Sequence, residues 1–281
     1  MSITDILACP ECKCGLSAIM KCEQCGKAYS FRGGIYDVIS PNRLASQEKP
    51  DIKRAIQRKL TYVIKQLFIK KFERNYISKL SDDTREILRR QMEFMSKIYA
   101  SFSGVVCDFP TGIGRNLKML LDSKATNMTI VCTDLDKQML SLARKHKGGK
   151  NLDVHYIVTD GRYMSVKDNT FDYIASIGAF GNVPETEKTV RELYRILKPQ
   201  GKIVMNGSYI EKGSKSYDLA KSKGLERGML EEYLVEELTN AGFVNITSTI
   251  TGKAVWAENP YDTLPIAGDM QYFCIVQAEK I

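Results

Sequence analysis

The stretch VVCDFPTGIG, Val105–Gly114, decides how this chain folds. A β-rich run ends in Asp108, and a tight turn follows in which Gly112 and Gly114 admit dihedrals that a Cβ forbids. Helical spacing begins at Arg115. A second β-rich run, MTIVCTD, then ends in Asp134, about 20 residues beyond the turn. Strand, glycine turn, helix, strand and acid, in that order, describe the crevice where an open parallel sheet takes up a nucleoside.

Outward from this stretch the alternation continues. VVCDF, MTIVCTD, DVHYIVTD, FDYIASIG and GKIVMNGS are candidate strands, separated by helices expected near Arg115–Leu121, Lys137–Lys145 and Glu185–Leu197. Such alternation predicts an α/β, doubly wound, mainly parallel sheet. After a further helix at Glu231–Ala241, VNITSTITG and QYFCIVQAEK read as a closing pair of strands.

Three of these strands end in aspartate. Asp108 can accept hydrogen bonds from a cationic amine or from the amides of the turn, and Asp134 can take both ribose hydroxyls. Asp160 stands where an adenine amino group would be read, and the helix from Arg115 points its N-terminus into the crevice. A dinucleotide is weakened as the ligand, because Leu117 occupies the third glycine position of GxGxxG.

On these motifs the chain from Phe102 to Ile281 resembles the class I S-adenosylmethionine-dependent methyltransferases, in particular the type 11-like group. VVCDFPTGIGRNL is similar to the first motif of that family, TDLDKQML to the second, and IVTDGRYMSVKDNTFDYIAS to the third with its following strand. RELYRILKPQGKIVMNG and AGFVNITST resemble the later helix–turn–strand and the start of the terminal strand pair. The resemblance implies a Rossmann-like, doubly wound sheet of seven strands, mainly parallel, with the last antiparallel. It also implies that Asp108, Thr111, Gly112 and Gly114 surround the methionine part of S-adenosylmethionine. Asp134 would hold the ribose with Leu135 beside the adenine, Asp160 and Gly161 would face the adenine edge, and Ser176 and Ile177 would lie under the sulfonium. Pro110 departs from the pattern by replacing its first glycine, which fixes φ and removes an amide donor.

No catalytic residue is assigned. A sulfonium methyl is already activated, so in-line positioning of a nucleophile can supply most of the acceleration. The loop SIGAFGNVPE lacks the Asn/Asp-Pro-Pro-Tyr/Phe motif of enzymes that methylate exocyclic or amide nitrogens. His146 lies in the basic KHKGGK and His155 inside a strand, and both read as structural or solvated.

Residues 1–40 have another grammar. Cys9-x-x-Cys12 and Cys22-x-x-Cys25 are two knuckles whose four thiolates suit tetrahedral Zn²⁺, a structural ion because no ligand position stays open. Cys14 could replace Cys12 only by stretching the first knuckle. The segment resembles the zinc ribbons that precede some methyltransferase domains, including ribosomal RNA guanine-N1 methyltransferases. Cys107, Cys132 and Cys274 sit in apolar strand-like runs and read as core residues.

The chain has 281 residues and a net charge of +8. Residues 43–100 hold 15 Lys/Arg against 7 Asp/Glu, so the whole excess lies there. Two helices are expected in this part, one with Ile56, Leu60, Val63 and Leu67 on a face, the other with Leu88, Met92, Met95 and Tyr99. Lys53, Arg54, Arg58, Lys59, Lys65, Lys70, Lys71 and Arg74 make the first helix either an RNA surface or the solvated side of a lid over a substrate pocket. The expected organisation is a zinc ribbon at 1–40, a basic helical connector or lid at 41–101 that opens with the polar linker Ser40–Pro50, and the methyltransferase domain at 102–281. No run approaches the roughly 18 apolar residues of a membrane span, and the N-terminus lacks a signal pattern, so a cytoplasmic address is the default. The expected function is methyl transfer to a small-molecule acceptor. RNA methylation of the ribosomal guanine type is the alternative, and a non-catalytic zinc-ribbon adaptor module is the third reading.

Overall fold

The computed structural model describes residues 2–40, 73–123, 125, 127–146, 152–178 and 180–281. The first expected helix and its basic residues up to Lys71 lie outside them, as does the linker from residue 41.

The central parallel strands are β3 (Gly104–Asp108), β4 (Met128–Asp134), β5 (Asp153–Val158), β6 (Phe171–Ile177) and β7 (Leu197–Ile210). They are joined by α2 (Arg115–Asp122), α3 (Lys137–Ala143) and α4 (Thr186–Ile196). α5 (Lys215–Ser222) and α6 (Glu231–Ala241) then lead to β8 (Phe243–Val255) and β9 (Met270–Lys280). β9 runs antiparallel between β7 and β8, as the resemblance implies.

The sheet holds nine strands among the described residues, in the order β1-β2-β5-β4-β3-β6-β7-β9-β8, and so exceeds the seven expected. The additional pair, β1 (Ser30–Arg32) and β2 (Ile35–Asp37), is a hairpin from the cysteine-rich segment. β2 lies parallel to β5, with Tyr36 opposite Ile157 and Asp37 opposite Val158. The physical reason is an edge strand: β5 otherwise presents unpaired amides and carbonyls, and strands of three residues cannot bury a core alone.

Apolar layers cover both faces. Leu117, Leu120, Leu140, Met95 and Tyr99 pack on one side of the sheet, while Val190, Leu193, Leu234 and Leu238 pack on the other together with Leu7, Leu16 and Val38 of the N-terminal segment. Cys107, Cys132 and Cys274 are buried here, as expected of core cysteines.

α1 (Asp82–Tyr99) realises the second expected connector helix. Ser81 caps it by accepting the amide of Thr84 at 3.2 Å, and Asp82 and Asp83 complement the first turn. Met95 and Tyr99 on its inner face are fully buried. Two elements depart from expectation. β7 starts at Leu197 rather than Gly201, because Leu197 already pairs with Phe171 before a register break. α5 carries no strong apolar period and was not expected; Ser214 caps it by accepting the amide of Tyr217. Among the described residues no helix is long and apolar enough to cross a membrane.

Candidate active site

The carboxyl ends of β3, β4, β5 and β6 converge on one crevice, and each contributes a residue singled out by the sequence. Asp108 at the end of β3 is fully buried. Its Oδ1 accepts Asn116 Nδ2 at 2.7 Å, whereas Oδ2 has no hydrogen-bond partner among the described residues. Burial pushes its carboxyl up to about 7, against the opposing hydrogen bond from Asn116.

The turn after β3 is pinned from below. The Thr111 amide donates to the Thr133 carbonyl at 2.8 Å, and the Thr111 hydroxyl donates to the Asp108 carbonyl at 3.0 Å. Gly112 has φ +54°, and a Cβ added there would meet nothing within 4 Å, so its face toward the crevice is open. Gly114, at φ +90°, caps α2 and aims its N-terminus into the same space. Pro110 lies between residues whose amides are all engaged, and it has no positive φ, so the missing first glycine leaves this turn intact.

Asp134 at the end of β4 accepts the Gly112 amide on Oδ2 at 2.7 Å and the Asp136 amide on Oδ1 at 2.8 Å. Burial raises its carboxyl, and these amides oppose the shift. Each oxygen keeps a lone pair for a further donor. Leu135 beside it is 41% exposed. Asp160, after β5, is held on both oxygens by Arg162, with Nε–Oδ1 3.0 Å and Nη2–Oδ2 2.8 Å. Gly161 is a close approach, because a Cβ there would lie 2.7 Å from the Phe109 ring. Ser176 at the end of β6 is fully buried with an unpartnered hydroxyl among the described residues.

Ile177, the last residue of β6, opens onto a second space, a cavity of about 520 Å³. Its floor is Gly178 and Asn206: the Gly178 amide donates to the Asn206 carbonyl at 3.1 Å and to its Oδ1 at 2.9 Å. Gln91 of α1 braces Asn206 from beneath and donates to the Cys274 carbonyl at 3.0 Å. Leu88 and Met92 of α1 form a wall, with Tyr76 from the helical residues 73–78 and Leu80 from the bend that follows them. The loop between β8 and β9 supplies Trp256 and Asp262. Arg115, the first residue of α2, also lines the cavity; its guanidinium lies 5.0 Å from the centre of the Tyr76 ring. Burial raises the Asp262 carboxyl, and burial together with the Asp262 charge raises the Tyr76 hydroxyl.

None of Gln91, Asn206, Trp256 or Asp262 was singled out by the sequence. They come from a helix interior, a strand and a loop, without a local motif. The apolar stripe of α1 was the one available signal.

A separate cluster lies in the N-terminal segment. The Sγ atoms of Cys9, Cys12, Cys22 and Cys25 lie within 4.8 Å of one another. The two knuckles repeat one turn: the Lys13 amide donates to the Cys9 carbonyl and the Gly26 amide to that of Cys22, with both turn residues at positive φ. The Cys25 amide holds the Cys22 thiol down at about 6. At Cys9 burial is outweighed by the Tyr29 hydroxyl, 3.1 Å away, and by the amides of Cys12 and Glu11, so the thiol lies below its ordinary value. Cys14 lies outside the group and donates to Gln24 Oε1.

Residues 107–205 match the family model described as a methyltransferase domain. Over those residues the chain is thus similar to methyltransferase domains, and its sheet has their architecture. Ubiquinone/menaquinone biosynthesis C-methyltransferase UbiE of Rickettsia prowazekii (strain Madrid E) is 31% identical over 118 residues, which is 40% of this chain and 47% of that protein. Phosphoethanolamine N-methyltransferase 2 of Caenorhabditis elegans is 29% identical over 170 residues, 59% of this chain and 37% of that protein. The chain therefore spans about half the length, or less, of these curated relatives. Among solved structures, phosphoethanolamine N-methyltransferase 2 of Haemonchus contortus in complex with S-adenosyl-L-methionine superposes with a TM-score of 0.52 at 21% identity, over 68% of this chain and 52% of that one. The [4+2]-cyclase SpnF superposes equally, 0.52 at 19% identity, over 68% and 80%. Likeness at this level establishes the fold, and the pairing of a cyclase with a methyltransferase leaves the chemistry to the site.

Proposed function

We propose that this protein transfers a methyl group from S-adenosylmethionine to a small-molecule acceptor bound in the cavity beside Ile177. The observation that carries the reading is the junction of two spaces at the end of β6: the crevice of Asp108, Gly112 and Asp134 on one side, and the 520 Å³ cavity on the other. The residues fit the cofactor. Asp108 Oδ2 is a buried acceptor in want of a donor, which an α-amino group supplies. Gly112 leaves open space against the crevice, and Asp134 retains acceptor capacity for ribose hydroxyls. Thr111 and Gly114 shape the turn, Leu135 offers an apolar surface to the adenine, and Asp160 and Gly161 border its edge.

When bound, S-adenosylmethionine supplies an electrophilic methyl group. The protein's own task is to hold an acceptor atom in line with it and to keep water out. Ser176 and Ile177 form the partition, and Gly178 is fixed there by both Asn206 acceptors. The volume of the cavity suits a small organic molecule, and the acceptor printed in the name of the C. elegans relative is one. No described residue set favours RNA.

The cysteine cluster fits a structural Zn²⁺ held by Cys9, Cys12, Cys22 and Cys25, since it offers four thiols, two of them eased toward thiolate, Cys22 by the Cys25 amide and Cys9 by the Tyr29 hydroxyl and neighbouring amides. The same reading divides the chain into a ribbon at 1–40, a connector and lid at 41–101 and the methyltransferase domain at 102–281, with β2 tying the first to the last.

Calorimetry with S-adenosylhomocysteine tests the cofactor site. Binding is expected at one equivalent, and folded protein without binding overturns the reading. Radiolabelled methyl transfer into fractionated cell extract tests the acceptor: label is expected in the small-molecule fraction, and label confined to RNA or protein overturns that part.

A further inference from the structure

The start of α2 is held from within by Asn116, the second residue of that helix. Its Nδ2 donates to Asp108 Oδ1 at 2.7 Å and to the Ala175 carbonyl at 3.1 Å. Its Oδ1 accepts the Tyr99 hydroxyl at 2.7 Å. Chemistry fixes the orientation of the amide: a carbonyl only accepts, so the nitrogen faces Ala175 and the oxygen is left for the hydroxyl. Asn116 is 3% exposed, and its three partners are fully buried. These contacts join four elements. Asp108 and Ala175 stand opposite one another on β3 and β6, and Tyr99 is the last residue of α1.

Apolar side chains could fill the same space. A buried chain of hydrogen bonds instead specifies one arrangement, and here it specifies the turn between β3 and α2. That turn, residues 109–115, leaves the strand at Asp108 and enters the helix past Gly112 at φ +54° and Gly114 at φ +90°. Its middle is pinned by the Thr111 amide on the Thr133 carbonyl and the Gly112 amide on Asp134. Its exit lacks such support, because Gly114 caps α2 without a side chain. The bond from Asn116 to Asp108 ties this exit back to the entry, and the bond to Ala175 ties both to the end of β6. The same donation opposes the effect of burial on the Asp108 carboxyl.

We infer that Asn116, oriented by Tyr99, is a positioning residue of the cofactor site: it clamps the exit of the 109–115 turn to its entry and holds the turn in the shape that takes the methionine end of S-adenosylmethionine. The inference rests on the crevice being the S-adenosylmethionine site proposed above. Tyr99 brings the connector helix into that site through a side chain that touches no ligand. The adenosine end is served by Asp134 and Asp160 from other strands, so the clamp acts on one end of the cofactor only.

Two ligands separate this role from a general structural one: S-adenosylhomocysteine, and 5′-methylthioadenosine, which keeps the adenosine and the thioether but lacks the amino-acid end. Calorimetry on the full-length protein reads both. Asn116→Ala is expected to weaken S-adenosylhomocysteine at least about tenfold and 5′-methylthioadenosine less than about twofold. Tyr99→Phe, which keeps the ring and removes only the hydroxyl, is expected to weaken the first at least about threefold with the same selectivity; it carries the comparison if Asn116→Ala does not fold. Asn116→Asp is isosteric and donates to Asp108 while the two carboxyls share a proton. At pH 6 it should bring S-adenosylhomocysteine back to within about threefold of the unaltered protein at that pH. The other titratable groups acting on Asp108 do not confuse this reading. Burial raises Tyr99, Cys107, Cys132 and Tyr156 above their ordinary values, so they stay neutral, and Asp134 is common to every variant. Equal losses for both ligands, an unchanged S-adenosylhomocysteine affinity in the folded variants, or no recovery with Asn116→Asp would overturn the inference. Folded, unaltered protein that binds neither ligand would remove the methyltransferase reading, and the inference with it.

Discussion

Asp108 and Asp134 end neighbouring strands and differ in how they are satisfied. Both oxygens of Asp134 accept backbone amides, whereas one oxygen of buried Asp108 accepts none among the described residues. Asp134→Ala removes the acceptor proposed for two ribose hydroxyls and should weaken S-adenosylhomocysteine at least about 100-fold, at about 1.5–3 kcal/mol per charged hydrogen bond; calorimetry beside a thermal melt reads this. Asp108 predicts a pH dependence. Its folded pKa, about 7, lies above its ordinary value of 3.8, so the folded state binds the extra proton between those values. Its contribution to stability is complete below about pH 4 and is lost as pH rises through about 7. Carboxylates lowered by ion pairs, such as Glu192 beside Arg195, act in the opposite sense, so the difference between proteins isolates the effect. Asp108→Asn should gain stability relative to the unaltered protein from pH 4 to pH 7 and hold that gain above it; a constant difference by urea denaturation across this range would refute the assignment. The positions of these two acids were legible because successive parallel strands end on one edge, so spacing along the chain becomes proximity in space. Asp262 and Trp256 were not, because the antiparallel excursion that delivers them carries no spacing rule.

At the scale of elements, α1 shows how one stripe serves two purposes. Leu88, Met92, Met95 and Tyr99 were legible as a face by their spacing, but periodicity alone does not say what a face meets. The C-terminal half, with Met95 and Tyr99, is sealed in the core, and the Tyr99 hydroxyl donates to Asn116 at 2.7 Å, which in turn holds Asp108. The N-terminal half, with Leu88 and Met92, walls the cavity. Gln91 interrupts the stripe with a polar residue that the pattern cannot explain until its partners, the Cys274 carbonyl and Asn206, are seen. Met95→Ala should therefore cost about 2–5 kcal/mol through the void it leaves. Met92→Ala should cost less than about 1 kcal/mol and instead change acceptor affinity. Urea denaturation of both variants checks the split, and equal losses would contradict it.

For the whole molecule, the N-terminal segment is joined to the sheet at several points beyond the β2–β5 pairing. The Val38 amide donates to the Val158 carbonyl at 3.1 Å, and the Ser165 hydroxyl donates to the Val38 carbonyl at 2.5 Å. The Ala8 amide donates to the Ser165 carbonyl, and Lys13 Nζ reaches both the Met164 carbonyl and Glu192 at 3.0 Å. Residues 158–166, which carry Asp160 and Gly161 past the end of the crevice proposed for the adenine, are thus bounded by the segment that holds the four cysteines. The knuckles were legible in the sequence from their spacing alone. The joining was not, since three-residue strands flanking Gly33-Gly34 give too short a run for alternation to register. If Zn²⁺ holds those knuckles, its removal reaches the proposed cofactor site through this seam. Cys12→Ser, or chelation of the purified protein, should lower Tm by at least about 5 °C, because binding energy at a structural zinc is folding energy. Amide exchange at 157–166 should speed up, and S-adenosylhomocysteine affinity should fall in parallel. Exchange confined to residues 7–29, with affinity unchanged, would instead describe a ribbon that folds and melts independently of the sheet it extends.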